Sequence, residues 1–388
     1  MNNKFKELTG IVDKLGNYII SESYGGYDPF DGLMSPIFIL TFLKNNKIIR
    51  FGFQQVFRRI PINIRPLLGI KKGLNPVTLG LAVQAYSYLI QMYEVKKNFY
   101  QKQIDYCLTK LEVFKSKSYS GACWGYDFDW EGRYANIPAH SPTVVATGII
   151  SNSLFEYHKY SNDIRAKELI VSAAQFVLND LNRTYEGDSF CLSYSPNDKQ
   201  LVFNASMKGA RLLSQVYSLT NDTKYVNEAE RIIRFVINNQ NKDGSWYYSK
   251  GDARSWVDNF HTAYILDALD EFVNLSGKNE YDGYLKKGKE FYLQNLFTEK
   301  GYPKYYSNSF YPIDSTEVAQ SILTLTKFNN IDKANLVAEF AFRELYSNNG
   351  YFYYQKHKSY TNKISYMRWS NAWMFAALSK LIFELNKN

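Results

Sequence analysis

The residues best suited to chemistry lie in the segment NKDGSWYYSKGDARSWVDNFHTAYILDA, residues 241–268. Asp258 and His261 stand three positions apart at the predicted start of a helix, so both side chains share one face. A histidine paired with a carboxylate can act as a general base. Arg254 and Trp256 precede the pair and could hold a substrate beside it. The alternative is structural, with a hydrogen-bonded His261 and an Asp258 that only begins the helix.

A second group of candidates lies in WGYDFDWEGRYANIPAHSP, residues 124–142. If this piece is extended, alternation places Asp127 and Asp129 on one face, with Phe128 and Trp130 opposite. Two neighbouring carboxylates can raise one another's pKa and serve as acid and base. The alternative is a solvated pair, or one held by Arg133.

Two further groups open predicted helices near the end of the chain. Asp314 begins the helix in YPIDSTEVAQ, where an acidic residue is also common for dipole reasons alone. Arg368 and Trp369 begin the helix in SYMRWSNAW, where the guanidinium could bind a carboxylate through two hydrogen bonds.

These groups define the candidate site. The predicted catalytic residues are His261, Asp258, Tyr194, Asp127, Asp129 and Asp314. The predicted substrate-binding residues are Trp124, Tyr126, Trp130, Arg133, His140, Trp246, Arg254, Trp256, Arg368 and Trp369.

Composition favours a sugar as the ligand. Aromatic residues make up 17% of the chain, including 33 Tyr, 26 Phe and 6 Trp, more than a helical core requires. Tyr and Trp combine an apolar face with a polar edge, which suits pyranose rings. The formal charge of +9 is scattered along the chain and no RNA-binding or zinc-finger signature occurs, so we expect no nucleic-acid partner. The excess of cations suits a cleft that attracts an acidic sugar or polysaccharide.

The elements that must position these residues are pairs of helices. Richly apolar stretches, typical of inner helices with neighbours on several sides, alternate with amphipathic stretches typical of outer helices. The first helix is predicted at 3–20, and a short helix is predicted at 37–46. The later helices are predicted at 76–94, 99–116, 143–157, 164–181, 201–219, 222–239, 256–275, 280–296, 315–327, 332–346 and 367–385.

Aromatic turns precede the inner stretches, and the unit recurs every 50 to 70 residues or so, which indicates an array of helical hairpins. We therefore predict an all-α (α/α)6 or (α/α)7 toroid with short aromatic β-ribbons, forming one domain over 1–388. The last helix would pair with the first. The turns that enter the inner helices would converge on a central funnel. Its predicted surrounding residues are Trp124, Trp130, Tyr194, Trp246, Trp256 and Trp369.

Several kinds of site are not indicated by the sequence. Phosphate-binding glycine motifs, a GxSxG elbow and an HExxH helix do not occur, and no metal or other cofactor is predicted. Cys107, Cys123 and Cys191 are odd in number and widely spaced, which fits a reducing compartment. The first twenty residues form an amphipathic pattern without a secretory h-region, so we expect a cytoplasmic protein.

Three resemblances bear on function. DGSW at 243–246, followed by a helix, resembles the repeat of prenyltransferase and squalene-cyclase toroids. The run CLSYSPNDKQLVFNASMKGARLLSQVYSLTNDTKYVNEAERII, 191–233, is similar to the helical domain of glucuronyl C5-epimerases. Around YDPFDGL, SPTVVAT, NDLNRTY, WVDNFHT and YPID, the chain resembles bacterial proteins associated with cell-surface polysaccharide production.

These resemblances imply a carbohydrate-active enzyme of surface polysaccharide biosynthesis that associates peripherally with membrane-bound machinery. The favoured chemistry removes the C5 proton of a uronic acid, as an epimerase or a lyase does. His261 or Tyr194 would be base or acid, and Arg254 or Arg368 would hold the carboxylate. The alternatives are a glycoside hydrolase that uses a pair among Asp127, Asp129 and Asp314, and a non-catalytic glycan-binding or assembly protein.

Overall fold

The structure is a computed structural model that describes residues 3–40 and 42–387, with their side chains except those of residues 3, 4 and 42. Within this part of the chain there are fourteen α-helices. They are α1 Asn3–Ser21, α2 Pro36–Ile39, α3 Lys47–Phe57, α4 Pro76–Met92, α5 Lys97–Val113, α6 Val144–Ser161, α7 Ile164–Asn179, α8 Phe203–Thr220, α9 Thr223–Ile237, α10 Asn259–Ser276, α11 Asp282–Asn295, α12 Ser315–Lys327, α13 Ile331–Leu345 and α14 Trp373–Lys387.

Local sequence fixes where most of these helices begin. Asn75, Thr143, Asp163, Asp222 and Asp258 occupy N-cap positions, and each side chain accepts a hydrogen bond from a backbone N–H of the first turn. Such caps satisfy donors that have no partner inside the helix, and each typically contributes about 1 kcal/mol.

The chain divides into two compact units. Unit 1 comprises Met1–Lys110, Gly125–Ser141 and Tyr311–Asn388, and unit 2 comprises Leu111–Trp124 and Pro142–Phe310. Unit 1 contains the inner helices α4, α12 and α14, and unit 2 contains α6, α8 and α10. These helices are buried on most sides, as their apolar sequences predict; in α4, for example, 15 of 17 residues are buried. The prediction of a single domain stays a prediction.

Each inner helix has an amphipathic partner. In unit 2, α6 packs on α7, α8 on α9 and α10 on α11. In unit 1, α12 packs on α13, and α4 meets α5 through the rings of Tyr86 and Tyr100. The predicted pairing of the last helix with the first is confirmed, because α14 packs on α1. The described residues therefore form six helix pairs.

Regular β structure in the described residues is limited to short ribbons. Strand β1 Trp130–Glu131 pairs with β2 Asn136–Ile137, and β3 Arg183–Glu186 pairs with β4 Ser189–Leu192. Strand β6 Gln355–Lys356 lies between β5 Ile313–Asp314 and β7 Thr361–Asn362. All pairings are antiparallel, and the described strands are only two to four residues long, as the prediction of short ribbons requires.

The structure differs from the sequence prediction in two places. One helix was predicted at 37–46, a range that includes position 41, which lies outside the described residues. The structure has the short helix α2 at the start of this range, and α3 begins directly after it, where the side chain of Asn46 caps the first turn. The last inner stretch begins at Met367–Ala372 as a π-helix before α14 follows. Such wide turns are rare and often mark functional positions.

Candidate functional site

The predicted pair at the start of α10 has a defined geometry within unit 2. Asp258 is the N-cap residue, and its Oδ1 accepts a hydrogen bond from the backbone N–H of His261 at 2.9 Å. Its Oδ2 lies 2.7 Å from Nδ1 of His261 and also accepts the indole N–H of Trp256 at 3.0 Å. Because a carboxylate only accepts, Nδ1 donates the proton in this contact, and Nε2 is the acceptor nitrogen of the neutral imidazole. No described residue hydrogen-bonds to Nε2.

Aromatic rings surround this imidazole. The ring of Tyr248 meets it edge to face at 4.6 Å and stacks on Trp256 at 5.0 Å. Trp256 is 38% exposed, and Tyr247 beside it is 47% exposed. These residues line a shallow depression together with Asn204, Trp246, Asp258, Thr262 and Ile265. An exposed aromatic face beside a hydrogen-bonding group is the arrangement that a sugar ring requires.

Asn204 adds an unusual polar atom to the depression. Its side chain is 3% exposed, and its Oδ1 accepts no hydrogen bond from the described residues. Leaving a buried acceptor without a partner costs about 1 to 3 kcal/mol, so such atoms are rare in folded proteins. The depression is too narrow to hold a water-sized molecule, and several other buried polar atoms in the described residues also have no hydrogen-bond partner.

Polar residues continue from this point along the buried faces of α8 and α10. Asn204, Lys208, Arg211 and Gln215 recur at helical spacing on α8, opposite His261, Tyr264, Asp267 and Glu271 on α10. Arg211 and Gln215 each donate to Glu271 at 2.9 Å. The two helices therefore form a polar stripe inside an otherwise apolar unit.

Lys208 is the cation of this stripe that lacks a carboxylate partner among the described residues. Its Nζ lies 3.4 Å from the ring centroid of Tyr264, and that ring lies 6.1 Å from the imidazole of His261. Burial, reinforced by the charge of Arg211, lowers the pKa of Lys208 to about 7, although Asp267 opposes the shift. The pKa of the ammonium group is therefore placed near neutrality.

Several predicted residues of unit 2 have structural roles. Trp124 and Trp246 are almost fully buried, and their indole N–H groups donate to the carbonyls of Leu111 and Val236. Neither ring offers a free face to a sugar, so we do not propose stacking on them. Tyr194 is half-buried beyond β4 and is not among the residues that line the depression.

The guanidinium of Arg254 also has partners within the protein. Its Nε and Nη2 donate to Asp252 at 3.0 and 2.6 Å, and Nη1 donates to Gln200 at 2.8 Å. Burial acts to raise the pKa of Asp252, but the hydrogen bonds from Arg254 and Ser249 outweigh it and lower the pKa to about 2. The predicted carboxylate clamp is occupied by an internal carboxylate.

In unit 1, the guanidinium of Arg368 likewise binds an internal carboxylate. Its Nε and Nη2 donate to the two oxygens of Asp28 at 2.6 and 2.9 Å, and both side chains are buried. The guanidinium lies 4.9 Å from the ring centroid of Tyr126, 5.6 Å from that of Phe128 and 5.0 Å from that of Trp369. Arg368 is therefore an ion-pair residue in an aromatic cage.

The predicted pair of Asp127 and Asp129 is divided between different partners. The backbone bends at 127–128, and β1 starts only at Trp130, so the alternation of an extended strand does not apply. Asn75 donates to Asp127 at 2.6 Å, whereas Asp129 accepts from the backbone of Ala139 and lies 3.6 Å from Arg50. Burial and the charge of Asp28 raise the pKa of Asp127 to about 6. The carboxylate electrostatically coupled to Asp127 is thus Asp28.

Asp314 serves as a helix cap. It is fully buried, and its Oδ1 accepts the backbone N–H groups of Thr316 and Glu317 at the start of α12. Its Oδ2 accepts from Gln355 at 2.6 Å, and the indole of Trp369 donates at 3.1 Å. Burial, which the hydrogen bond from Gln355 opposes, raises its pKa. These contacts support the structural alternative for Asp314.

The remaining predicted residues surround the β1–β2 ribbon. Arg133 is exposed in its turn, and His140 is exposed just after it. Trp130 is half-buried on β1, and Tyr126 is buried under Arg368. No group of three His, Cys, Asp or Glu with metal-binding geometry occurs among the described residues.

Sequence reasoning missed Lys208, Asn204, Tyr248 and Asp28. A signal for the first two was present, because Asn204, Lys208, Arg211 and Gln215 are polar at helical spacing inside a helix that was predicted to be buried. Asp28 gave no comparable signal, since its partner lies 340 positions away.

Comparison with known proteins shows the fold. No protein-family model and no curated sequence matches the chain. Among solved structures, it is similar to cellobiose 2-epimerase from Bacillus thermoamylovorans B4167, with a TM-score of 0.63 and 11% identity over 80% of this chain and 88% of that one. It is also similar to the glycoside hydrolase family 76 mannosidase Bt3792 from Bacteroides thetaiotaomicron VPI-5482, with a TM-score of 0.61 and 11% identity over 81% and 88%.

A D-mannose isomerase gives a TM-score of 0.55 at 13% identity over 81% of this chain and 88% of that one. The predicted fold class, an all-α (α/α) toroid, is thereby confirmed. Because the sequence identities are this low, the structural similarity shows the fold and does not identify the reaction.

Proposed function

We propose that the chain is a carbohydrate-active enzyme that moves a proton at a sugar carbon next to a carbonyl or carboxylate group. The observation that carries the proposal is the Asp258–His261 pair, with its contact of 2.7 Å, beside the exposed face of Trp256. The names of the similar structures include a sugar epimerase and a sugar isomerase, which favours this reaction class. Epimerase, isomerase and lyase chemistry all begin with this step.

The chemistry follows from the protonation of the pair. Asp258 holds the proton on Nδ1 of His261, so Nε2 can accept the proton from the substrate carbon. The electron pair of the broken C–H bond then moves onto the neighbouring carbonyl oxygen as an enolate. Returning the proton to the opposite face gives an epimer. Adding it to the neighbouring carbon, while the hydroxyl proton passes to the former carbonyl oxygen, gives an isomer, and expelling a β-substituent gives an unsaturated product.

We propose that the substrate is an acidic sugar and that the reaction belongs to surface polysaccharide synthesis. The favoured substrate is a uronic acid, from which the enzyme would remove the C5 proton. The enolate and the carboxylate of such a substrate both need a cation or strong hydrogen-bond donors. Arg254 and Arg368 are occupied by Asp252 and Asp28, so we assign this role to Lys208. Its contact with Tyr264, which neighbours His261, supports the assignment.

A glycoside hydrolase is the second candidate. The observation that favours it is Asp127, whose pKa is raised to about 6 by burial and by Asp28, as a general acid requires. One of the similar structures is a mannosidase. A hydrolase would cleave a glycosidic bond and leave the sugar C–H bonds untouched.

Exchange with deuterated water tests the proposal. The protein would be incubated in D₂O with a uronate polymer, cellobiose or mannose, and proton NMR would follow the C5 or C2 signal. We expect loss of that signal for at least one substrate. Cleavage without exchange would establish the hydrolase instead, and binding without either would establish a glycan-binding protein.

Lys208→Met should weaken binding of an anionic sugar by roughly 10- to 100-fold, because a charged hydrogen bond is lost. KM should rise because the carboxylate loses its cation, and kcat should fall because the enolate loses the same cation. In the unaltered protein, KM for the acidic sugar should also rise as the pH passes above about 7, because Lys208 loses its proton there. The variant should lack this pH dependence.

Lys242→Met is the matched control, because Lys242 is exposed in unit 2 and lies outside helices α8 and α10, which form the polar stripe. It should leave both KM and its pH dependence unchanged. An unchanged KM in Lys208→Met would remove Lys208 from the site without bearing on His261.

A further inference from the structure

The segment 37–72 has an unusual composition. It contains eight Lys and Arg residues and no Asp or Glu. It also contains eight of the eleven exposed Ile, Leu and Val side chains in the described part of the chain. Exposed aliphatic residues scattered singly are normal, but their concentration in one segment marks an interaction surface.

Helix α3 buries Phe57 together with two polar side chains and leaves its aliphatic side chains exposed. Its polar side chains face inward, where Arg50 donates to Glu131 at 3.0 Å and Gln54 donates to the carbonyl of Phe30 at 2.9 Å. Its aliphatic side chains face outward, with Ile48 82% and Val56 63% exposed. The polar contacts and the packing of Phe57 hold the helix in this orientation, and its aliphatic face packs against no other element among the described residues.

Other parts of the segment extend this apolar surface. Leu40 and Leu67 are 81% and 86% exposed. The pieces that carry them are tied together, since the hydroxyl of Ser35 donates to the carbonyl of Leu68 at 2.8 Å. Phe38 also packs against Phe53 of α3, with ring centroids 4.4 Å apart. The aliphatic side chains are thus displayed by one locally packed structure.

The exposed charges of the segment have a single sign. Lys44, Lys47, Arg59 and Lys71 are exposed and form no ion pair with any described residue, while Lys72 pairs with Glu22 outside the segment. The buried Arg50 and Arg65 are neutralised internally by Glu131 and Asp31. The exposed surface of this segment therefore combines aliphatic side chains with cations. This combination is typical of elements that lie in a membrane interface.

We infer that the 37–72 surface docks onto an anionic lipid bilayer. The aliphatic side chains would enter the interface, and the cations would lie at the level of the headgroup phosphates. A protein partner with an apolar surface would not require four exposed cations, unpaired among the described residues, without one acid, so charge complementarity favours the lipid. No helix in the described residues is long and apolar enough to cross a bilayer, and the attachment we propose is peripheral.

Vesicle sedimentation tests the inference. Full-length protein would be mixed with vesicles of phosphatidylglycerol and phosphatidylcholine in equal parts, and separately with pure phosphatidylcholine. We expect binding to the anionic vesicles only, and weaker binding at high salt. Lys44→Gln with Lys47→Gln should weaken it about fivefold for each charge lost. Ile48→Ser with Leu67→Ser should weaken it at least about tenfold.

Matched controls exist outside the segment. Val95 and Val113 are exposed aliphatic residues, and Lys117 and Lys242 are exposed cations. Val95→Ser with Val113→Ser, and Lys117→Gln with Lys242→Gln, should leave binding unchanged. Equal losses in the controls, or no binding to anionic vesicles, would overturn the inference.

Sedimentation velocity without lipid separates a second explanation. If the unaltered protein self-associates and Ile48→Ser with Leu67→Ser makes it monomeric, the surface joins copies of this chain and the lipid assignment is wrong. Circular dichroism would confirm that the variants are folded, which we expect because all four substituted side chains are exposed.

Discussion

His261→Ala is expected to lower turnover of the sugar substrate by about 10² to 10⁴-fold, the range for a lost general acid or base. The expectation rests on Nε2, which has no hydrogen-bond partner among the described residues, and on Nδ1, which Asp258 holds at 2.7 Å. The measurement is the rate of deuterium incorporation at the exchanging carbon. Folding should be little affected, because the imidazole is 22% exposed and the cap formed by Asp258 stays in place.

Two further variants isolate the role of His261. Asp258→Asn should cost less, because the imidazole remains and the single amide oxygen of Asn can still cap the helix, whereas its NH2 group replaces the oxygen that accepts from Nδ1. His357→Ala is the matched control, because His357 stacks on Tyr360 in unit 1 and has no part in the proposed chemistry. If His261→Ala retains exchange activity and chiefly lowers the melting temperature, His261 is structural and the hydrolase becomes the better hypothesis.

Much of the fold could be predicted from the sequence because it is set by local rules. Hydrophobic periodicity distinguishes inner helices such as α4 from outer helices such as α9, and capping residues such as Asp222 and Asp258 mark where helices begin. The Asp258–His261 contact was also predictable, since it depends on spacing along a single helix.

The roles of the arginines could not be predicted in this way. Arg254 and Arg368 have the residue type of a carboxylate clamp, but whether a guanidinium is free depends on what lies around it. Arg368 meets Asp28, which is 340 positions away, and no periodic pattern connects the two. The burial of Trp124 and Trp246 has a similar origin, since neighbouring helices enclose their rings.

Helix α3 shows a different limit of sequence prediction. Its pattern KIIRFGFQQVF is amphipathic, and the usual expectation is that the aliphatic face turns inward. Here Arg50 and Gln54 point inward beside Phe57, where they donate to Glu131 and to the carbonyl of Phe30, and the aliphatic residues are exposed. Periodicity indicates that a helix has two faces, but not which face meets the protein.

Asp28→Asn is expected to lower the free energy of unfolding by about 3 to 5 kcal/mol, the cost of breaking a buried ion pair by removing one partner. Asp28 and Arg368 are 5% and 6% exposed, so water cannot replace the lost carboxylate. Three aromatic rings around the guanidinium stabilise a cation, but they cannot accept the hydrogen bonds of Nε and Nη2. Urea unfolding followed by circular dichroism gives the free energy directly.

Removing both charges should recover much of that loss. In Asp28→Asn with Arg368→Met, an apolar side chain of similar length would pack against Tyr126, Phe128 and Trp369, and such replacements of a buried pair are often neutral or stabilising. Glu94→Gln is the matched control, because its partner Lys97 is exposed and such pairs contribute about 0 to 1 kcal/mol. A loss for Asp28→Asn no larger than for Glu94→Gln would mean that Arg368 does not need its partner to stay buried, and would return Arg368 to the list of residues that could bind a substrate carboxylate.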